Sequence, residues 1–266
     1  MADLTLTEII IYPIKSLGGI SLNSSFAGKR GLQYDRRYLL VDEKGMFITQ
    51  RDLAQLALLK LSFTETGFNV LNSSDNSFIT IPFESNSGTK IRVQIWDDLC
   101  TALVVDKKLD EWFSEILKIK CSLVYMPDDE ERVVEKTYET TEHIVSFADA
   151  YPYLIIGRSS LDDLNKRLEQ PVPMNRFRPN FLFTGGNPYD EDAWKYFKIA
   201  NVHLKAVKPC ARCVITTTDQ QTAERSNEPL KTLSKYRKFN GKVMFGMNVI
   251  CNQEGIVSIG DKIELL

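Results

Sequence analysis

Short β-branched and aromatic segments recur along this chain, and each is closed by Gly, Pro, Asn, Asp or Ser. This cadence is typical of a β-barrel or β-sandwich, because each strand is brief and a turn signal follows it. In the first half, strands are predicted at residues 8–15, 37–42, 46–49, 58–64, 78–81, 91–96 and 101–105. In the second half, they are predicted at 153–156, 180–184, 202–207, 214–218 and 247–252, ahead of a closing apolar segment at 256–265.

Helical periodicity is clear at two places. Residues 107–119 place apolar side chains on one face, and residues 160–168 begin with Ser160 and Asp163 in the manner of a capping box. The acidic run 127–132 lies between them and is predicted to be a domain joint or a solvated surface loop.

Together these signals predict an α+β, predominantly β protein with a few helices. We expect an N-terminal β-barrel-like domain at residues 1–125 and a second, C-terminal β-barrel at residues 126–266.

Composition excludes several classes of partner. The formal net charge of −2 and the pI near 5.9 leave no excess positive field to attract nucleic acid or an anionic membrane. The N-terminus lacks a basic leader, and no apolar run approaches the roughly 20 residues that span a bilayer. Five cysteines are too few and too scattered for a secreted disulfide framework. The expected protein is cytoplasmic and acts on a small molecule.

Chemistry is expected first at Cys210 and Cys213, which enclose Ala211 and Arg212. A thioredoxin-like pair gains reactivity from a helix that begins after its first cysteine, whereas a strand is predicted at 214–218. A thiolate favoured by Arg212 is instead a suitable ligand for a thiophilic metal. Structural zinc is disfavoured, because no second pair of ligands occurs at the required spacing.

Two other segments carry cations at the ends of predicted strands. Arg178 is held near extended geometry by Pro179, and Lys15 with Ser16 ends the first strand ahead of two glycines. Such groups can bind a phosphate or carboxylate. The residues alone leave open the alternative that Arg178 is a surface arginine paired with a loop acid.

Read together, these segments resemble the MOSC family, which is named for the C-terminal domain of molybdenum cofactor sulfurase, in the form that carries an N-terminal β-barrel domain. The segments that occur in the family's order are Tyr12-Pro13-Ile14-Lys15-Ser16, Gly31-Leu32 to Asp35-Arg36, Phe147-Ala148-Asp149-Ala150-Tyr151-Pro152, Leu161-Asp162-Asp163-Leu164-Asn165, Arg176-Phe177-Arg178-Pro179-Asn180 and Lys208-Pro209-Cys210-Ala211-Arg212-Cys213. Within the family the chain is similar to the amidoxime-reducing components, mitochondrial proteins with bacterial relatives that reduce N-hydroxylated compounds at a pterin-bound molybdenum.

The resemblance implies a MOSC N-terminal domain at 1–125, a MOSC domain at 126–266 and an oxidoreductase that depends on the molybdenum cofactor, molybdopterin. It implies that Cys213 is the catalytic thiolate and the protein's ligand to molybdenum. The cofactor contacts it implies are Lys15, Ser16, Arg36, Asp149, Arg178, Asn180 and Cys213. Mitochondrial members place two hydroxyl residues after the aspartate, whereas this chain has Ala150 and Tyr151.

The implied substrate is a small N-hydroxylated compound. Unlike some relatives, residues 1–266 are expected to have no N-terminal anchor. Electrons are expected from a separate electron-transfer protein, because these residues contain no cysteine-rich iron–sulfur domain. Two alternatives are a sulfur carrier with a persulfide on Cys213 and a structural interaction protein. Pyridoxal phosphate is disfavoured, since no lysine has the sequence context of a Schiff-base residue.

Overall fold

Strand β1 (Thr5–Ile11) is central to the fold in this computed structural model, which describes residues 3–85, 88–134 and 143–266. It pairs antiparallel with β2 (Ile20–Leu22) on one side and with β13 (Phe181–Thr184) on the other. Leu6, Ile9 and Ile11 are fully buried. A β-branched run that is buried in this way suits an interior strand.

The sheet that contains β1 forms the larger barrel. Its other members are β12 (Tyr153–Gly157), β14 (Tyr196–Ile199), β15 (Val202–Ala211), β17 (Lys242–Gln253) and β19 (Ile263–Leu265). The strand order is β19-β14-β15-β17-β12-β13-β1-β2, and the short strand β16 (Lys238–Phe239) pairs with β17. The Leu6 amide donates to Asp261 O and the Ile263 amide donates to Leu4 O, each at 2.9 Å. These bonds connect the β19 end back to β1 and close the sheet.

Smaller sheets complete the first half of the chain. One contains β5 (Tyr38–Val41), β9 (Lys90–Ile95), β10 (Asp98–Val104) and β11 (Ser122–Tyr125); a second contains β6 (Leu59–Phe63), β7 (Gly67–Asn72) and β8 (Phe78–Pro82); a third joins β3 (Ser24–Gly28) and β4 (Gly31–Leu32) to β18 (Gly255–Ser258). Helix α1 (Lys107–Leu117) packs Leu109, Phe113 and Leu117 into the core that these sheets enclose.

The predicted fold class, α+β and predominantly β, is confirmed. Both predicted helices exist, as α1 and α2 (Arg158–Asn165), and the short helix α3 (Leu230–Leu233) was not predicted. The division of the chain at residue 125 stays a prediction. In space, β1 and β3 hydrogen-bond to strands from the second half.

Two strand predictions were wrong. Residues 46–49 make only isolated bridges to neighbouring strands. The predicted strand at 214–218 is a 3₁₀ helix, Val214–Thr217. Its threonines bond to nearby backbone: Thr216 Oγ1 donates to Cys213 O at 3.0 Å and Thr217 Oγ1 donates to Val214 O at 2.7 Å. Such local bonds offer the backbone an alternative to a strand ladder and outweigh the β propensity of these residues.

The predicted capping box at Ser160 was also wrong. Helix α2 starts at Arg158 behind the cap residue Gly157, and Ser160 lies inside its first turn. The Ser160 hydroxyl instead lies 2.9 and 3.0 Å from the two carboxyl oxygens of Glu191, a side chain buried in the core. Glu191 also accepts the Gly157 amide at 3.1 Å. Sequence spacing cannot reveal this contact, because Glu191 belongs to a distant 3₁₀ turn.

None of the helices in the described residues is long and apolar enough to cross a membrane.

We predict that Glu191→Gln is at least as stable as the parent protein at pH 7.5, whereas Glu191→Ala loses about 1–3 kcal/mol, because it leaves two buried donors unpaired. Burial raises the pKa of Glu191 above its ordinary value of 4.5. The folded protein therefore holds this proton at a pH where the unfolded chain has released it, so the parent loses stability as pH rises through this window. Glu191→Gln has no carboxyl group to ionise, so its stability does not fall in this way as pH rises.

Urea unfolding at pH 4.5 and pH 7.5 measures the difference. If Glu191→Gln is less stable than the parent at pH 7.5, then an ionised Glu191 stabilises the fold and this account is wrong.

Candidate functional site

The segment that follows β1 carries Lys15 and Ser16 into the interior. The Lys15 amide donates to Tyr38 O at 2.9 Å, and Ser16 then turns the chain with a φ of 71°. The buried Lys15 ammonium donates to Phe147 O at 2.8 Å and to Asp149 Oδ1 at 2.7 Å. Two predicted site residues more than a hundred positions apart are thus in direct contact.

The Asp149 carboxylate connects the interior to the surface. Its side chain is 53% exposed, yet it pairs with Lys15 and lies 3.6 Å from Arg51. The indole N–H of Trp96 also donates to Asp149 Oδ1, at 3.1 Å. Partial desolvation acts to raise the pKa of Asp149, but Lys15 and Arg51 outweigh it and hold this pKa below its usual range. Asp149 is therefore an anion at neutral pH.

Arg36 and Arg178 meet at the ring of Tyr12. The guanidinium carbons lie 4.5 Å and 4.1 Å from the ring centroid, and the Tyr12 side chain is buried. Arg36 forms an ion pair with the buried carboxylate of Asp35, which also accepts the Tyr12 amide at 2.7 Å. Aromatic faces attract cations, and this attraction strengthens when both partners are desolvated.

The Arg178 side chain donates a hydrogen bond but forms no ion pair with a described residue. Its Nη1 donates to Leu17 O at 2.7 Å. Its backbone φ of 56° is in the left-handed region, so the extended geometry predicted from Pro179 is wrong. In the described part of the chain, no carboxylate lies within 4.0 Å of its guanidinium. Burial, with a further contribution from Arg36, lowers the pKa of Arg178 to about 10. Among the described residues Arg178 therefore has no paired acid, and its assignment to the site stays a prediction.

Asn180 supports these groups through the hydrogen bonds of its side-chain amide. Its side-chain oxygen accepts the Leu154 amide at 3.2 Å and Arg36 Nη1 at 3.3 Å, and its side-chain nitrogen donates to Ile10 O at 3.1 Å. Asn180 is buried, and these bonds tie β1 to β12 beneath the arginines. The structure thus gives its amide a clear role in positioning Arg36.

The cysteine motif lies at the end of β15. This strand extends past its predicted end at 207 to Ala211, and the Arg212 amide donates to Val243 O at 2.8 Å. The Arg212 guanidinium donates to Cys210 Sγ at 3.0 Å and to Phe177 O at 2.6 Å. The arginine expected to favour a thiolate therefore contacts Cys210. The second bond links the motif to the residue that precedes Arg178.

Cys213 is the more available thiol. It is partly exposed, caps the following 3₁₀ helix, and its Sγ has no hydrogen bond to any described residue. The other three cysteines are buried, and burial raises the pKa of Cys100 and of Cys251 to about 11 and raises the pKa of Cys121. Those thiols remain protonated, so a metal-binding thiolate is best supplied by the motif.

A pair of buried glutamines joins the two halves of the chain beside this motif. Gln50 Nε2 donates to Gln220 Oε1 at 3.2 Å, and Gln220 Nε2 donates back to Gln50 Oε1 at 3.1 Å. Gln50 also donates to Ser16 O at 2.6 Å, and Gln220 to Thr218 O at 3.1 Å. Sequence reasoning missed this pair, as well as the contacts of Tyr12, Arg51 and Trp96. Only Tyr12 had a signal, because it opens the Lys15-Ser16 motif.

The fold and this cation-lined site correspond to a known class of two-part protein. Residues 3–120 match the MOSC N-terminal beta barrel domain and residues 142–264 match the MOSC domain. The chain belongs to the MOSC family.

Particular relatives span most of the chain. It is 32% identical to mitochondrial amidoxime-reducing component 1 of Mus musculus and 30% identical to that of Homo sapiens, with 98% of this chain aligned to 82% and 83% of those proteins. It is also 30% identical to the molybdenum cofactor sulfurase of Oryza sativa subsp. japonica, where 97% of this chain aligns to 33% of that longer protein.

We predict that anion binding at this site weakens between pH 7 and pH 9. Burial lowers the pKa of Lys15 from 10.5 to about 8, although Asp149 acts in the opposite direction. Lys15 is therefore mostly cationic at pH 7, whereas only roughly a tenth of it is protonated at pH 9. Sulfate, whose charge is constant over this range, should raise the thermal unfolding midpoint less at pH 9 than at pH 7.

Lys15→Met should bind sulfate more weakly and show a flatter pH profile. The exposed Lys107→Met is the matched control and should keep the parent profile. A parent protein with equal sulfate stabilisation at both pH values would contradict the role of Lys15.

Proposed function

We propose that this protein is an oxidoreductase that holds a molybdenum–pterin cofactor and reduces small N-hydroxylated compounds with electrons from a separate protein. The observation that carries the proposal is the partly buried guanidinium of Arg178, which forms no ion pair with any described acid. A partly desolvated cation without a paired acid is unfavourable, and an arriving phosphate would compensate it through charge-assisted hydrogen bonds. The relatives named for amidoxime reduction and for the molybdenum cofactor support the same proposal.

The chemistry of the donor set fits such a cofactor. Lys15, Ser16, Arg36, Arg178 and Asn180 would hold its phosphate and pterin, with Asp149 at the outer edge, and Cys213 would supply the thiolate to molybdenum. Thiolates are the ligands that soft metals prefer. When bound, this group supplies a metal centre that can take an oxygen atom from an N-hydroxyl group.

The chain's own residues would bind the cofactor and fix its orientation. Tyr12 and Asp35 hold Arg36 in place, and Leu17 O fixes the Arg178 guanidinium, so little conformational entropy remains to be lost when an anion binds. Lys15 holds a proton at Nζ beside Asp149 and, with a lowered pKa, can release it near pH 8. Partial burial of Arg36 and Arg178 lowers the local dielectric and strengthens their charge interactions.

A sulfur carrier with a persulfide on Cys213 is the second candidate. The partial exposure of the Cys210 and Cys213 thiols and the contact of Arg212 with Cys210 favour it, since a persulfide needs access and a nearby cation. The cytoplasmic location stays a prediction, because the relatives include mitochondrial proteins.

We predict that Cys213→Ser loses reductase activity and that its molybdenum content falls by about tenfold or more, because a hydroxyl is a poor ligand for a thiophilic metal. Cys210→Ser should keep a substantial part of both. Metal content by elemental analysis and pterin by fluorescence, on protein made in a host that synthesises the cofactor, separate the two effects. Equal losses in the two variants would favour a two-cysteine site.

We further predict that the loaded protein reduces benzamidoxime with a dithionite–viologen reductant but not with NADH alone. Residues 1–266 contain no Gly-rich dinucleotide fingerprint after a strand and no iron–sulfur cysteine set. Robust NADH turnover by the isolated protein would refute the need for a partner. If molybdenum-replete protein is inactive even with viologen, the sulfur carrier is favoured.

A further inference from the structure

The hairpin between β9 and β10 places a tryptophan in an unusual backbone conformation beside the site. Trp96 and Asp97 form its two-residue turn, and Trp96 has a φ of 56°. Two-residue hairpins that need a positive φ favour Gly, Asn or Asp, because a bulky side chain is disfavoured there. An outlier of this kind persists where surrounding contacts hold it and is a reason to look for function.

Three contacts fix the indole. Its N–H donates to Asp149 Oδ1 at 3.1 Å, the Arg51 guanidinium lies 4.1 Å from its ring centroid, and Phe47 meets it edge-on at 5.0 Å. Despite these contacts, Trp96 is 43% exposed. Since the N–H is engaged and Arg51 covers one face, the ring surface that remains for a ligand is apolar. Large aromatic groups held rigidly and left open are typical of recognition sites.

The exposed ring borders a half-exposed carboxylate. Asp149 shares one oxygen between Trp96 and Lys15 and keeps acceptor capacity on its outer side. An apolar aromatic surface beside a carboxylate acceptor is complementary to a flat aromatic group that carries N–H donors. Amidines and their N-hydroxy derivatives have this chemistry when they are attached to an aryl ring.

We propose that Trp96 is a specificity-determining residue that stacks on the aryl ring of an aromatic amidine-type substrate while Asp149 accepts its N–H groups. The proposal rests on the proposed function and deepens it, because it assigns a preference for aryl over alkyl compounds to one side chain.

The first test is ligand binding by the purified protein of residues 1–266. Benzamidine should bind about fivefold more tightly than acetamidine, as a stacked aromatic contact adds to the shared charge contact. Trp96→Ala should abolish that preference, and Trp96→Phe, which keeps a ring, should restore most of it. Leu99→Ala, exposed on the same hairpin, is the matched control and should bind like the parent. Calorimetry measures binding, and thermal unfolding confirms that each variant is folded.

The second test uses loaded protein with a viologen reductant. Trp96→Ala should raise the KM for benzamidoxime about fivefold with little change in kcat, and should leave the KM for acetamidoxime unchanged. An unchanged aryl preference in Trp96→Ala would overturn the proposal. So would equal losses for both substrates, which would indicate a structural role or a partner's docking surface.

The two proposals fail separately. An aryl preference in binding without reduction of either amidoxime would refute the reductase and leave the role of Trp96 intact. Reduction of both amidoximes without any aryl preference would support the reductase and refute the role of Trp96.

Discussion

The Asp35 carboxylate holds the cation site together. It is buried, accepts the Tyr12 amide at 2.7 Å and forms an ion pair with Arg36. Arg36 then lies against the Tyr12 ring, which also contacts Arg178. Removing one partner of a buried charge pair is strongly destabilising, because the other is left uncompensated. One acid therefore positions two guanidinium groups through a single aromatic ring.

The charges within this group do not balance. Lys15 is paired with Asp149 and Arg36 with Asp35, whereas Arg178 interacts with a carbonyl and a ring. The lowered pKa values of Lys15 and Arg178, to about 8 and about 10, reflect the cost of burying them as cations. A purely structural network would be expected to pair each charge. The surplus here suits a site that receives an anion.

Both halves of the chain build the site. The first half contributes Lys15, Arg36 and the Trp96 hairpin, while the second contributes Asp149 and the cysteine loop. The reciprocal amide bonds of Gln50 and Gln220 fix the segment after Cys213 against the turn at Ser16. Because these glutamines are buried, losing either would leave polar groups unpaired and loosen the loop that carries the thiol.

The sequence by itself determined the β-rich class, the two main helices and the residue types of the site, because hydrophobic period and short motifs are local properties. Tertiary structure decided which residues meet: Lys15 contacts Asp149 across 134 positions, and Gln50 contacts Gln220 across 170. It also bonded Arg212 to Phe177 and set Trp96 beside Asp149. Those outcomes depend on long-range packing and on competition among hydrogen-bond partners, which residue spacing does not encode.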